Sequence, residues 1–190
     1  MRRFLIPALM ISLLLTGCGE RSAALQRKVT EQREQFAAAE ELSFTADVTA
    51  LLGSEVFQCT LAVSGGADAV TAEVTAPESI AGARTRFENG EAVLEYGEVS
   101  LGVGTAGTKG LSPVYAAALL HSALRTGFLK RCWTEREESR ELVAAELYVT
   151  DDADLTLWFE KETMTPVHCE FSQAGSTVVR CELRDFTMIR

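Results

Sequence analysis

The residue whose chemistry is most constrained by its neighbours is Cys18, at the end of Leu15-Thr16-Gly17-Cys18. It follows Arg2-Arg3 and an apolar run from Phe4 to Leu15. A basic start, a short apolar stretch and small residues are the layout of a bacterial secretory signal. A cysteine directly after the small pair marks the lipoprotein version. There the sulfur is alkylated by a diacylglyceryl group, Leu15, Thr16 and Gly17 are read by the signal peptidase, and Cys18 becomes the first residue of the mature chain. The apolar run is about a dozen residues, short of the ~20 a spanning helix needs. A transmembrane anchor is therefore the weaker reading. One acyl chain holds a protein only marginally, at ~0.8 kcal/mol per buried methylene. Two chains, with a palmitate-type third on the new amino group, would hold it stably. The expectation is a lipid-anchored protein of the cell membrane, facing the extracytoplasmic side.

The other residues able to do chemistry are four more cysteines, Cys59, Cys132, Cys169 and Cys181, and two histidines, His121 and His168. An even number of cysteines outside the cytoplasm permits a disulfide framework with three pairings. Cys169 and Cys181 are symmetric about Gly175, so a hairpin there sets them opposite on one face, within disulfide reach. Cys59–Cys132 follows only by elimination, and four reduced, buried thiols are the competing reading. A metal site is disfavoured: no Cys-x-x-Cys occurs and zinc sites want closely spaced ligand pairs. The run Asp151-Asp152-Ala153-Asp154 lacks the Gly and distal Glu of a calcium loop. No Gly-x-Ser-x-Gly elbow or Gly-x-x-x-x-Gly-Lys loop is present. No catalytic residues and no cofactor are expected, and the chain does not read as an enzyme.

Net charge is −9 and becomes more negative once Arg2 and Arg3 leave with the leader. Such a balance argues against nucleic acid or anionic headgroups as a binding surface.

The elements that must position these residues follow from periodicity. Residues 1–17 read as the signal and 18–42 as a lipidated N-terminus with an amphipathic helix, carrying Leu25, Val29 and Phe36 on one thin stripe. From 43 to 190 the period is mostly two. Phe44 to Leu52, Phe57 to Val63 and Val70 to Ala76 alternate apolar and polar, as half-buried antiparallel strands do. Asn89-Gly90 supplies a hairpin turn, setting Phe87 opposite Ala92 and Thr85 opposite Leu94. Ser112-Pro113 opens an Ala/Leu-rich helix that carries His121, and Gly127 is expected to end it in the left-handed conformation. Strands resume at Val143, Leu155, Val167 and Val179. Tyr148 and Trp158 flank the Asp-rich turn and are expected to be cross-strand neighbours on the outer face. The pattern predicts an α+β fold, a single highly curved antiparallel sheet of about 10–11 strands with an N-terminal helix and an inserted central helix.

This arrangement resembles the LolA/LppX type of lipoprotein carrier. The residues that carry the resemblance are the helix around Ala23 to Glu41, Phe44-Thr45-Ala46-Asp47-Val48, Val74-Thr75-Ala76-Pro77 with Ile80-Ala81-Gly82, Leu111-Ser112-Pro113, and Leu157-Trp158-Phe159-Glu160 running into Pro166. The resemblance implies a half-barrel closed by helices around an apolar cavity for the acyl chains of a lipid or lipoprotein. Phe57, Leu61, Leu94, Tyr96, Leu147, Leu157 and Phe171 are the expected lining. The alternative is an envelope scaffold that holds a partner protein, such as a cell-wall enzyme in sporulation or germination, through an outer surface at Tyr148 and Trp158 or through the long first helix. Either way the partners are the membrane, through the lipid, and a lipid or an envelope protein.

Overall fold

A computed structural model describes residues 5–88, 91–105, 111–150 and 153–190, and their side chains apart from those of 5–21, 52 and 103–105. Helix α1, Leu5–Ala38, leads into strands β1 (Glu41–Leu52), β2 (Glu55–Gly65), β3 (Ala69–Ala76), β4 (Arg84–Glu88), β5 (Glu91–Tyr96) and β6 (Val99–Thr105). Helix α2, Pro113–Thr126, follows, then β7 (Phe128–Glu137), β8 (Arg140–Thr150), β9 (Ala153–Glu160), β10 (Pro166–Gln173) and β11 (Ser176–Ile189). Among the described residues the strands form one sheet, in the order β6-β5-β4-β3-β2-β1-β11-β10-β9-β8-β7. Every pairing is antiparallel. The sheet does not close, and β6 and β7 are its edges.

Two meanders therefore meet at β1 and β11, strands from opposite ends of the sequence. One face of the sheet is covered. Val29 and Phe36 of α1 are fully buried, and α2 packs on β1, β2, β3, β8, β11 and α1. The Phe36 ring lies 5.5 Å from that of Phe186, which stacks on Phe44 at 6.0 Å. One aromatic cluster thus pins the end of α1 onto β1 and β11. The stripe Leu25–Val29–Phe36 is the face that packs, as the spacing predicts.

Several registers agree with the sequence. Phe87 pairs with Ala92 and Thr85 with Leu94, although the turn residues Asn89 and Gly90 lie outside the described residues. Ser112 caps α2, its hydroxyl accepting from the Tyr115 amide at 3.3 Å, with Pro113 opening the helix. Asp151 and Asp152, and 106–110 of the Gly-rich loop, also lie outside the described residues.

Two expectations need correction. Gly127 is not left-handed: its φ is −54° and ψ 145°. Its requirement is steric, because a Cβ there would meet the Ala123 carbonyl oxygen at 2.7 Å. Strand β7 carries no alternating apolar pattern and is not legible as a strand. Its sequence FLKRCWTERE is dominated by charge, as befits an edge that must not pair with another chain.

Candidate functional site

Register decides which of the chemically interesting residues meet. Across the covered face runs one row, Cys59–Val48–Cys181–Cys169–Leu157–Ala145–Cys132, each step a cross-strand pair. All four thiols are free. Cys169 and Cys181 are directly opposite, as their symmetry about Gly175 predicts, with their thiols in hydrogen-bond contact. Burial pushes the Cys169 thiol well above its ordinary range, and the neighbouring Cys181 adds to the shift. Burial likewise pushes Cys59 up to about 11. Cys59 and Cys132 are the pair that fails: they sit six strand spacings apart, roughly 29 Å along the sheet. Bent through a half circle, that arc still leaves its ends roughly 18 Å apart, against the ~7 Å limit of a disulfide. Cys59 instead flanks Val48 beside Cys181.

The other face carries a complementary row, Trp133–Ala144–Trp158–His168–Glu182. Trp158 stacks on His168 with centroids 4.4 Å apart. Both indole N–H groups donate to Glu135 Oε2, at 3.2 Å from Trp133 and 3.0 Å from Trp158. This roof buries Ala144 and His168 on the outer face. Burial draws the His168 imidazole below its ordinary range, with Glu137 opposing. Tyr148 and Trp158 are not neighbours. Tyr148 pairs with Asp154 and Trp158 with Ala144, because Thr150 already faces Ala153 across a tighter turn. Tyr148 pairs instead with Phe128, which is 72% exposed, and Lys130 Nζ sits 5.9 Å from the tyrosine ring.

The expected cavity lining divides. Leu61, Leu147, Leu157 and Phe171 are fully buried. Phe57 packs partly buried against that core, Leu94 is half-buried, and Tyr96 is 50% exposed. Among the described residues a cleft of about 400 Å³ lies between α2, the β2–β3 turn and strands β3 and β4. Small-molecule sites occupy ~300–1,000 Å³. Val70, Phe87, Tyr115, Ala118 and Leu119 form apolar walls; His121 and Arg125 stand at one end, with Asp68, Glu88 and Ser122 also on the lining.

None of the seven expected residues lines this cleft. Its polar end is Arg125, 7% exposed, whose Nη1 donates to the Ala39 carbonyl at 3.0 Å and Ala37 at 3.5 Å, and whose Nη2 donates to Gly65 at 3.4 Å. His121 Nε2 bonds the same Gly65 oxygen at 2.9 Å, and burial draws its imidazole below the ordinary range. The available sequence signal was the spacing: Arg125 follows His121 by one helical turn on an otherwise apolar helix. Gly65 itself is obligatory, since a Cβ would meet the Ala69 carbonyl oxygen at 2.3 Å.

Among the described residues no cluster of three His, Cys, Asp or Glu could hold a metal, and no helix is long and apolar enough to cross a membrane. The Cys18 side chain lies outside the described side chains. No family model and no curated protein matches the chain. Solved structures do. An uncharacterized conserved protein from Thermus thermophilus superposes with a TM-score of 0.51 and 11% identity, over 87% of this chain and 88% of that one. A domain assigned to outer-membrane lipoprotein sorting, from Vibrio parahaemolyticus, gives 0.50 and 9% identity over 89% and 92%. A LolA superfamily protein from Nitrosomonas europaea gives 0.47 and 12% over 86% and 93%. With its open eleven-stranded sheet and two helices on one face, the chain has the half-barrel fold of the LolA/LppX type.

Proposed function

We propose that the protein is a non-enzymatic lipoprotein of the envelope, anchored at Cys18 on the extracytoplasmic side, that takes a lipid or acyl chain between its sheet and α2. The observation that carries this reading is the cleft. It is a groove of about 400 Å³ with mixed walls, apolar at Val70, Phe87, Tyr115, Ala118 and Leu119, and it runs beside α2, the helix that covers the apolar face. Leu61, Leu147, Leu157 and Phe171 would serve as lining only after a helix lifts from the sheet, since they are sealed now. Phe57, Leu94 and Tyr96 are the more accessible members of the proposed lining. Both histidines support a non-enzymatic role, one being held by a backbone carbonyl and the other by an indole. A native mass spectrum of a version starting at Ala23, exported from a bacterial host behind a cleavable leader without the lipidation cysteine and purified without added lipid, is expected to show a lipid adduct. A bare protein mass at every stage of purification would overturn the reading.

A second role, as a scaffold for an envelope protein such as a cell-wall enzyme, is favoured by the exposed Phe128–Tyr148 pair. Trp158 contributes less to such a surface, because His168 covers it. A photo-crosslinking residue at position 128 in cells is expected to trap one specific envelope protein, including during sporulation or germination. Recovery of lipid adducts alone would count against this role.

A further inference from the structure

The cleft beside α2 has chemically different ends. At one, the Phe87 and Tyr115 rings lie 5.6 Å apart, with Leu119 and Val70 beside them. At the other, ten residues or ~15 Å further along the helix, stands Arg125. Its guanidinium is buried, and among the described residues no carboxylate pairs with it. Among the described residues its Nε has no acceptor, and two of its three carbonyl contacts are long, at 3.4 and 3.5 Å.

A buried cation without a counter-charge is unfavourable unless something neutralises it. Neutral carbonyl dipoles do so only in part. Asp68 and Glu88 also lie on the cleft, but both are exposed, so solvent and salt screen them far more than the buried guanidinium. The field at this end of the cleft is therefore set by Arg125. An anionic oxygen there could take over the two long N–H contacts as short, charge-assisted ones.

We propose that the cleft binds a single-chain amphiphile, with an anionic carboxylate or phosphate head at Arg125 and an alkyl tail along Val70, Leu119, Phe87 and Tyr115. This rests on the apolar-ligand reading above and adds the chemistry and direction of the ligand. Two-chain lipids fit less well, since the groove offers one apolar track.

The test uses the full-length protein in nanodiscs of neutral phospholipid, with diazirine-bearing dodecanoate or dodecanol as photo-probes. Adducts are mapped by peptide mass spectrometry. Dodecanoate is expected to label cleft peptides from α2 and β3–β4 roughly tenfold more than dodecanol. Arg125→Gln should abolish that preference, but it removes a buried clamp and could unfold the domain. Ser122→Glu keeps the clamp and places a carboxylate on the exposed side of the same cleft. At low ionic strength, where an exposed carboxylate is least screened, it should lower the dodecanoate-to-dodecanol labelling ratio about twofold. Equal labelling by the two probes, indifferent to Ser122→Glu, would overturn the anionic head while leaving an apolar ligand in place. No cleft labelling, with lipid still present in the native spectrum, would overturn this site but not the reading it rests on. Inorganic phosphate is expected not to displace dodecanoate. If it competes as well as unlabelled dodecanoate, the site is one for small anions and the amphiphile proposal fails.

Discussion

At the residue scale, the consequences divide between a thiol that should be modified and thiols that should not react. Cys18→Ser is expected to move the protein out of the lipid-modified membrane fraction, as read by fractionation and by loss of a diacylglyceryl mass. Burial shields Cys59, Cys169 and Cys181 from solvent, and in Cys59 and Cys169 it also raises the thiol pKa and suppresses the nucleophilic thiolate. In the reduced, folded protein, iodoacetamide is expected to label half-buried Cys132 first and Cys59, Cys169 and Cys181 only on unfolding. If oxidation joins Cys169 to Cys181, the intact mass falls by two hydrogens and neither labels until reductant is added. The histidines make a pH prediction. Both have native pKa values below the ordinary 6.5, chiefly through burial. The unfolded chain then binds more protons than the native one once pH falls through 6.5 toward the depressed values. Stability is present above that window and is lost as pH falls through it. Asp47 and Glu141, held below their ordinary 3.8 and 4.5 by Arg184 and Lys161, lose their contribution only in stronger acid. Thermal melts at pH 7.5 and 5.5 should differ, and His121→Gln should shrink the difference.

At the element scale, α2 owes its placement to what stands just beyond its ends. Gly127 has a φ of −54° that alanine could adopt, and conformational entropy alone would favour Gly127→Ala by ~0.4–1 kcal/mol. Contact with the Ala123 carbonyl opposes this, because a Cβ would sit at 2.7 Å from backbone that cannot swing aside. Such overpacking costs ~1–3 kcal/mol, so the steric term wins. A net loss of ~1 kcal/mol, or ~2–4 °C in Tm, is expected. Helix α1 depends on Phe36, which is 1% exposed and packed on Phe186. Phe36→Ala should cost ~3–5 kcal/mol in a denaturant titration. A loss under ~1 kcal/mol would mean that α1 is a solvated stalk after all. The charged strand β7 was illegible because an edge strand is selected for what it must avoid, and period-two alternation reports only burial on one face.

At the scale of the whole molecule, the sheet is joined where the sequence is farthest apart. β11 lies next to the central strand β1, between it and β10, and Ser43 and Thr187 exchange a 2.6 Å hydrogen bond across that seam. Loop closure over so long a span must precede these contacts, so folding should be slow for the domain's size. Deleting residues 176–190 is expected to abolish the cooperative melt, since it splits the sheet into two meanders and uncovers Val48, Cys169 and Phe171. Shortening the β6 edge strand should leave a cooperative transition with a lower midpoint. Equal effects of the two deletions would contradict the interior place of β11.

Local sequence determined the elements and several of their registers. Alternation marks one buried face, and a short hairpin fixes which residues oppose each other, as at Phe87–Ala92; Cys169 meets Cys181 through the further register shift between Phe171 and Ser172. It also holds the Cys18 motif on which the proposed lipidation rests, and such a motif would be read without a fold. Tertiary structure alone decided three things. It separated Cys59 from Cys132, because elimination counts cysteines while disulfides need proximity. It sealed Leu61, Leu147, Leu157 and Phe171 beneath packed side chains, because inward-facing is not the same as cavity-lining. It also brought Arg125 of α2, the Gly65 turn and the Ala39 carbonyl together at one end of the cleft. Those three segments are distant in sequence and share no local pattern, so only the packing of the helix across the sheet could make them one site.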